Sequence, residues 1–192
     1  MLMTSARIQS AHAEGCVCCM AAGQVRGFGR RGVMSLAAAA FAAPLFVPPA
    51  RAGNGTAYEA MLLTCIDPRM VTPVYAWIES RKLKGEYSQF AIAGAAVGVV
   101  APAFAAWRAA FWDNLAASIG LHKITRVIVV DHRDCGAAAI AYGADAIATP
   151  EAEWNLHQMV YGQFRDELAK RQPALRAEGG LMALDGSIEL FD

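Results

Sequence analysis

The chain has 192 residues, 56% of them hydrophobic, with 17 basic and 17 acidic side chains. This length gives room for one ordinary domain with a substantial core. The balanced charge, without a basic run interleaved with aromatic residues, argues against a nucleic-acid-binding protein. The five cysteines are odd in number and unevenly placed, which argues against a framework of disulfide bonds.

The N-terminal part is typical of an export signal. Arg30 and Arg31 precede an Ala-rich apolar segment, residues 32–47, that ends in prolines and small residues. The order of charge, apolar core and cleavage site is that of a signal peptide, and the paired arginines indicate the bacterial twin-arginine type. The apolar core is shorter than the roughly 20 residues of a membrane-spanning helix, so we expect no permanent membrane span. We predict a leader over residues 1–52, cleaved after Ala52, and a periplasmic protein.

The remaining domain, residues 53–192, keeps 12 basic and 16 acidic side chains and is therefore mildly acidic. The leader also contains a short cluster of possible soft-metal ligands, namely His12, Cys16, Cys18 and Cys19. Thiolates with an imidazole suit zinc or cuprous copper. One alternative is that these residues are simply removed with the leader. Another is an overextended start site, with Met20 or Met3 as the true beginning.

Strand-like and helix-like segments alternate along the domain. In chain order we predict a strand at 58–64, a helix at 72–83, a strand at 90–93, a helix at 104–121, a strand at 126–131, a short helix after Cys135, a helix from 149 to 170, and a hairpin with strands at 181–184 and 187–191. The run Val127–Val130 is β-branched and unalternating, as in a central parallel strand covered on both faces. Asp185 and Gly186 predict a type I′ hairpin turn. The order of elements predicts an α/β fold, with a mostly parallel central sheet, flanking helices and a C-terminal hairpin.

Side chains with metal-binding chemistry follow two of the predicted strands. His132 and Cys135 follow the third strand at H-x-x-C spacing, and two such ligands can bind one zinc ion that needs a third protein ligand. Cys65 follows the first strand, and chemistry in parallel sheets gathers at the carboxyl ends of the strands. The three residues together would leave one position for water, whose pKa zinc lowers towards about 7.

Asp67 and Arg69 are expected on the same loop as Cys65, because Pro68 disfavours helix at the residue before it. Asp67 could accept the proton of a hydroxide and orient it towards a small electrophilic carbon. Arg69 would keep Asp67 ionised and oriented through a fork-like pair. Two alternatives are a purely structural ion pair and an Asp67 that occupies the fourth zinc position.

Four other polar residues receive ordinary structural interpretations. His122 and His157 are expected to be surface or helix residues. Asp131 and Asp134, which flank His132, are expected to cap the helix that follows.

The pattern C-x-D-x-R after one strand and H-x-x-C-G after a later one resembles the β-class carbonic anhydrases. The resemblance implies that Cys65, His132 and Cys135 bind zinc and that Asp67 and Arg69 form the catalytic dyad. It also implies a doubly wound sheet, a homodimer or higher homo-oligomer with the site at its interface, and reversible hydration of carbon dioxide to bicarbonate.

The resemblance covers most of residues 58–192 and includes Ala93-Gly94 after the second strand and the terminal hairpin. The chain differs from the family pattern at Ala91-Ile92, where family members usually carry Arg-Asn. The glutamine-bearing segment ahead of the first cysteine is also missing.

Three other functions are compatible with the same residues. Close relatives of that family hydrolyse carbonyl sulfide or carbon disulfide with the same zinc set. A non-catalytic protein could use these ligands to hold or deliver zinc or copper. A thiol-redox role for Cys65 and Cys135 would instead require a reversible disulfide.

Overall fold

The computed structural model describes residues 57–192. The predicted leader of residues 1–52, its cleavage site, and the cluster of His12, Cys16, Cys18 and Cys19 lie outside the described residues. These interpretations stay predictions.

A five-stranded sheet forms the centre of the domain, with the strand order β2-β1-β3-β4-β5. Its strands are β1 (Ala60–Thr64), β2 (Tyr87–Ala91), β3 (Arg126–His132), β4 (Arg176–Met182) and β5 (Ile188–Leu190). The first four strands are parallel to their neighbours, and β5 pairs antiparallel with β4. The predicted α/β fold with a mostly parallel sheet and a terminal hairpin is therefore confirmed.

Helices cover both faces of this sheet. They are α1 (Val71–Ser80), α2 (Ala96–Val100), α3 (Arg108–His122), α4 (Gly136–Tyr142) and α5 (Pro150–Arg171), together with 3-10 turns at Pro68–Met70, Pro102–Trp107 and Ala144–Ile147. None of the helices between residues 57 and 192 is both long enough and apolar enough to cross a bilayer.

The central strands are buried because their side chains alternate between two hydrophobic cores. Leu63 and Val129 belong to the larger core, which includes Phe111 of α3 and Phe164 of α5. The smaller core, on the other face, joins side chains of β1 and β3 to α1, among them Leu62, Ile128, Val74 and Ile78. Each fully buried side chain of this size contributes roughly 1.5–3 kcal/mol. The two cores hold the carboxyl ends of β1 and β3 next to each other.

Two strands lie earlier in the chain than predicted. β2 occupies Tyr87–Ala91 instead of 90–93, because it is an edge strand whose Ser88 and Gln89 broke the apolar signal. β4 begins at Arg176 instead of 181. Its first half was not predicted, because Gly179 and Gly180 do not favour a strand in the sequence. A Cβ added at Gly180 would lie 2.5 Å from the Glu189 carbonyl oxygen, so glycine permits the pairing with β5.

The helix boundaries also differ from the predictions. The first helix begins at Val71 instead of 72 and ends at Ser80 instead of 83, before Lys82 adopts a φ of 60°. The predicted helix at 104–121 is a 3-10 turn followed by α3, because Phe104 has non-helical angles. The α3 helix ends at His122, one residue after the predicted end. The α5 helix agrees well with its prediction, and the Thr149 hydroxyl accepts a hydrogen bond from the Ala152 N–H.

The terminal hairpin has a different turn from the predicted type I′. Gly186 has a φ of 93°, but Asp185 is not among the residues with positive φ, whereas type I′ requires positive φ at both central positions. The Ala183 N–H donates to the Ser187 carbonyl and the Gly186 N–H donates to the Ala183 carbonyl. These bonds close a three-residue loop that ends in a left-handed glycine, another common hairpin connection.

A tight turn connects β2 to α2 and contains two unusual backbone conformations. Gly94 has a φ of 80°, and Ala95 has a φ of 48° with a ψ of −112°. A Cβ added at Gly94 would lie 2.9 Å from the Cβ atoms of both Ala137 and Val97. The turn therefore requires glycine for its conformation and for its close approach to α4.

We expect Gly94→Ala to destabilise the domain by roughly 2–4 kcal/mol, of which about 1–2 kcal/mol is left-handed strain and the rest crowding. Gly85 is the matched control, because it has a φ of 78° and nothing within 4 Å of an added Cβ. Gly85→Ala should therefore lower the free energy of unfolding only by the strain component, about 1–2 kcal/mol. Urea denaturation of both variants measures the difference, and equal losses would contradict the crowding at Gly94.

Candidate metal centre

The loop after β1 presents Cys65 at the carboxyl end of the sheet. Cys65 follows directly on Thr64, the last residue of β1, and is half-buried. Its Sγ accepts a hydrogen bond of 3.2 Å from the Gly94 N–H. The turn between β2 and α2 thus contacts the sulfur directly.

The end of β3 and the loop after it present His132 and Cys135, both 1% exposed. His132 is the last residue of β3, and Cys135 directly precedes α4 as its N-cap. Between them Asp134 adopts a φ of 57°. This left-handed residue reverses the chain, so that both ligand-type side chains face the same point.

The sequence-predicted ligands come together. One ligand atom each from Cys65, His132 and Cys135 lies within 4.8 Å of the others, so these residues could hold a metal ion. The His132 Nδ1 lies 2.8 Å from the Arg133 carbonyl, which fixes Nδ1 as the protonated nitrogen. Its Nε2 is buried without a hydrogen-bond partner. A bare imidazole nitrogen beside two sulfurs is the donor set expected of a zinc site.

The electrostatics favour a thiolate at Cys65. The pKa of Cys65 falls to about 4, chiefly because the Cys135 thiol donates a hydrogen bond to its sulfur. The pKa of Cys135 rises for the same reason, since it is the donor of that bond, and burial raises it further. Burial opposes the charged form of His132, but the nearby negative charge of Cys65 outweighs this effect and raises the pKa of His132. The pocket already concentrates negative charge where a cation would bind.

Asp67 and Arg69 form the predicted fork-like pair on the first loop. The Arg69 Nη2 lies 2.6 Å from Asp67 Oδ2, and Arg69 Nε lies 3.0 Å from Oδ1. The backbone N–H of Arg69 also donates to Oδ1 at 2.9 Å. These bonds from Arg69 lower the pKa of Asp67 to about 2. Asp67 Oδ2 lies 4.0 Å from His132 Nε2, so the carboxylate faces the centre while its two oxygens bind Arg69.

Asp134 is a further member of this network that the sequence did not reveal. The Arg69 Nη1 donates to Asp134 Oδ2 at 2.6 Å, and its Nη2 donates to the Asp134 carbonyl at 3.1 Å. The side chain of Asp134 therefore points to Arg69 and does not cap the following helix as predicted. Arg69 thus connects the loop after β1 to the loop after β3. In the sequence, only the position of Asp134 between His132 and Cys135 could have indicated this role.

Asp131 and His157 also differ from their predictions. Asp131 is 1% exposed and bonds to the Ala96 N–H and to His157, so it is not a cap of α4. His157 lies on a helix as expected, but it is 0% exposed and not a surface residue. His122 is the last residue of α3 and contacts the ring of Tyr58 edge to face.

An apolar cavity adjoins the centre on the α1 side of the sheet. It has a volume of about 360 Å³ and is lined by residues of β1, β2, α1 and the loop between β1 and α1, including Cys65, Ile66, Tyr75 and Gln89. Gln89 is one of its few polar groups, and its amide nitrogen lies 3.4 Å from the Thr64 hydroxyl. The cavity offers space for a small, weakly polar molecule close to Cys65.

The chain is similar to two proteins from bacteria that are named as uncharacterised. The relative from Rickettsia conorii is 26% identical over 131 residues, which cover 68% of this chain and 70% of the relative. The relative from Rickettsia bellii is also 26% identical over 131 residues, and 80% of it is covered. These relatives support common ancestry without assigning an activity.

Two solved structures share the fold. The β-carbonic anhydrase CafA of Aspergillus fumigatus superimposes with a TM-score of 0.52 and 15% identity, covering 72% of this chain and 77% of that chain. A structure of tetrameric β-carbonic anhydrases from Sordaria macrospora gives a TM-score of 0.50 and 15% identity, covering 71% and 81%. At this identity the likeness concerns the fold alone.

A family model gives the more specific match. The family described as "Putative carbonic anhydrase" matches residues 56–162, more than half of the chain. The matched segment contains Cys65, Asp67, Arg69, His132 and Cys135. The chain therefore belongs to this carbonic anhydrase family.

Proposed function

We propose that this protein is a zinc-dependent carbonic anhydrase that reversibly hydrates carbon dioxide to bicarbonate. The observation that carries the proposal is the convergence of Cys65, His132 and Cys135 within 4.8 Å, with Asp67 held by Arg69 beside them. In this assignment the two sulfurs and His132 Nε2 bind zinc. When bound, zinc supplies the Lewis acidity that activates water at neutral pH.

Asp67 is the proposed catalytic carboxylate. Both of its oxygens accept hydrogen bonds from Arg69, which leaves a lone pair to accept a hydrogen bond from the attacking hydroxyl and hold it towards substrate. Asp67 thereby orients the nucleophile, and Arg69 keeps Asp67 charged. Because Arg69 fixes both oxygens, Asp67 is unsuited to serve as a fourth ligand. The proton released on hydration leaves to solvent, past a dyad whose arginine side chain is 45% exposed.

Stopped-flow carbon dioxide hydration by zinc-loaded protein tests this proposal. We expect activity that scales with zinc occupancy. Stoichiometric zinc without hydration of carbon dioxide, carbonyl sulfide or carbon disulfide would favour the non-catalytic metal-binding alternative. A protein without stoichiometric metal that forms a reversible bond between Cys65 and Cys135 would favour the redox alternative. Activity on carbonyl sulfide or carbon disulfide alone would support the catalytic metal centre but exclude carbon dioxide as its substrate.

Asp134 should matter for activity more than for stability, because its side chain is 67% exposed. We expect Asp134→Gly, which tolerates the φ of 57°, to leave the melting temperature nearly unchanged. Because an exposed pair fixes Arg69 only weakly, hydration should fall by roughly fivefold at most. Asp134→Asn is the control, since asparagine tolerates this conformation and keeps an acceptor for Arg69. Equal activity of both variants and the wild type would contradict a role for the bridge.

We further propose a homodimer or higher homo-oligomer. Strand β2 lies at the edge of the sheet, and unpaired edges favour association with another chain. Three hydrophobic side chains near this edge are strongly exposed, namely Ile66 at 61%, Val71 at 69% and Tyr75 at 43%. Light scattering after size exclusion should give at least twice the monomer mass. Val71→Glu should lower the measured mass towards that of the monomer. A monomeric wild type at micromolar concentration would contradict this assembly.

Export by the twin-arginine route is the remaining part of the proposal. The Arg30-Arg31 pair and the apolar segment after it support this route, which carries folded proteins and so permits zinc to be loaded first. Fractionation and immunoblotting in a bacterial host should find a shortened periplasmic form. Replacing both arginines by lysine should retain the full-length form in the cytoplasm, and an unprocessed wild type would contradict export.

A further inference from the structure

A buried contact between a histidine and a carboxylate, next to the metal centre, is the strongest unexplained feature of the domain. His157 Nδ1 lies 2.9 Å from Asp131 Oδ2, and both side chains are 0% exposed. The other nitrogen of His157 has no hydrogen-bond partner. Such a pair is costly to bury, and nothing in the proposed hydration reaction uses it directly.

The second oxygen of Asp131 connects this pair to the turn between β2 and α2. Asp131 Oδ1 accepts a hydrogen bond of 3.1 Å from the Ala96 N–H. Ala96 is the first residue of α2, and it follows Ala95, whose left-handed backbone is unfavourable for a non-glycine residue. Asp131 therefore holds in place a turn that would otherwise relax.

The same turn contacts the metal centre from its other end. Gly94, two residues before Ala96, donates its N–H to Cys65 Sγ at 3.2 Å. A continuous series of bonds thus runs from His157 through Asp131 and the turn to the sulfur of Cys65. Asp131 also immediately precedes His132 at the end of β3, so the pair adjoins a second ligand-type residue of the centre.

We propose that the buried Asp131–His157 pair positions the Gly94 N–H against the Cys65 sulfur and thereby tunes the metal centre. This inference rests on the proposed function, because it assigns Cys65 as a metal ligand. A hydrogen bond to a thiolate ligand withdraws electron density from the sulfur and fixes its direction, and partners of this kind control metal affinity. Asp131 and His157 are positioning residues that touch neither metal nor substrate.

The direct test is nuclear magnetic resonance of the full domain loaded with a spin-active isotope of cadmium. A metal–sulfur bond that accepts an N–H transmits scalar coupling to the amide proton, so the wild type should show coupling to Gly94. Asp131→Leu should weaken or abolish this coupling, and zinc affinity, measured by competition with a chelator, should fall about 10–100-fold. Asp131→Asn keeps an acceptor for the Ala96 N–H and should retain the coupling.

Two further variants separate positioning from stability. The double variant Asp131→Leu/His157→Phe removes both members of the buried pair, which is less destabilising than removing one of them. It still leaves the Ala96 N–H without its acceptor, so it should lose the coupling. Ser118→Ala is the control for general loosening, because Ser118 is 4% exposed and bonds to Ser88 at 2.6 Å on the same face of the sheet. It should keep both coupling and affinity.

Three outcomes would overturn the inference: no Gly94 coupling in the wild type, unchanged coupling and affinity in the double variant, or the same loss in Ser118→Ala. The proposed function is tested separately by hydration. An inactive wild type that shows the Gly94 coupling would defeat the enzyme and leave the positioning role intact. An active wild type without the coupling would defeat the positioning role alone.

Discussion

Cys135→Ser is expected to lose stoichiometric zinc and, with it, hydration activity down to the uncatalysed rate. A ligand that binds only the folded state stabilises it by about 4 kcal/mol when its free concentration is roughly 1,000 times the dissociation constant. Losing this stabilisation should lower the melting temperature by on the order of 10 °C. Elemental analysis and thermal unfolding measure the two effects.

Serine is a suitable replacement because Cys135 is the N-cap of α4 and makes no side-chain capping bond there. Serine is a favourable N-cap residue, so a lower stability would not arise from the start of the helix. The wild type treated with a chelator is the matched control, and it should unfold at nearly the same temperature as the variant. An unchanged metal content and melting temperature would exclude Cys135 as a ligand.

The parts of this centre that could be predicted are those encoded locally. The buried run Val127–Val130 identified β3, and the side chains directly after a parallel strand must lie at the carboxyl edge of the sheet. Cys65 directly follows β1, and His132 is the last residue of the adjacent strand β3. Short spacing and strand order therefore sufficed to bring the candidate ligands together.

The parts that could not be predicted depend on long-range contacts between polar residues. Asp134 meets Arg69 across 65 positions of the chain, and His157 meets Asp131 across 26. No periodicity marks such pairs, and a histidine on a helix more commonly faces solvent. Strand β2 was misplaced for a related reason, because an edge strand needs no continuous apolar run.

Asp67→Asn should have the second large effect, a loss of roughly two to four orders of magnitude in carbon dioxide hydration with zinc retained. The amide has nearly the shape of the carboxylate but cannot accept the hydrogen bond of the hydroxyl with a full negative charge. It also loses the charge-assisted bonds from Arg69 Nε and Nη2. Stopped-flow kinetics beside elemental analysis separates this catalytic loss from the loss of metal expected for Cys135→Ser.

The pH dependence gives this variant a sharper test. The Arg69 bonds lower the pKa of Asp67 to about 2, below the ordinary value of about 4. A depressed carboxyl pKa contributes stability above the ordinary value, and this contribution is lost as the pH falls through about 2. Asp67 therefore stays ionised throughout roughly pH 5–9, and the ratio of wild-type to Asp67→Asn activity should be constant over that range. A ratio that collapses on the acidic side would show that Asp67 titrates during catalysis and that Arg69 does not hold it charged.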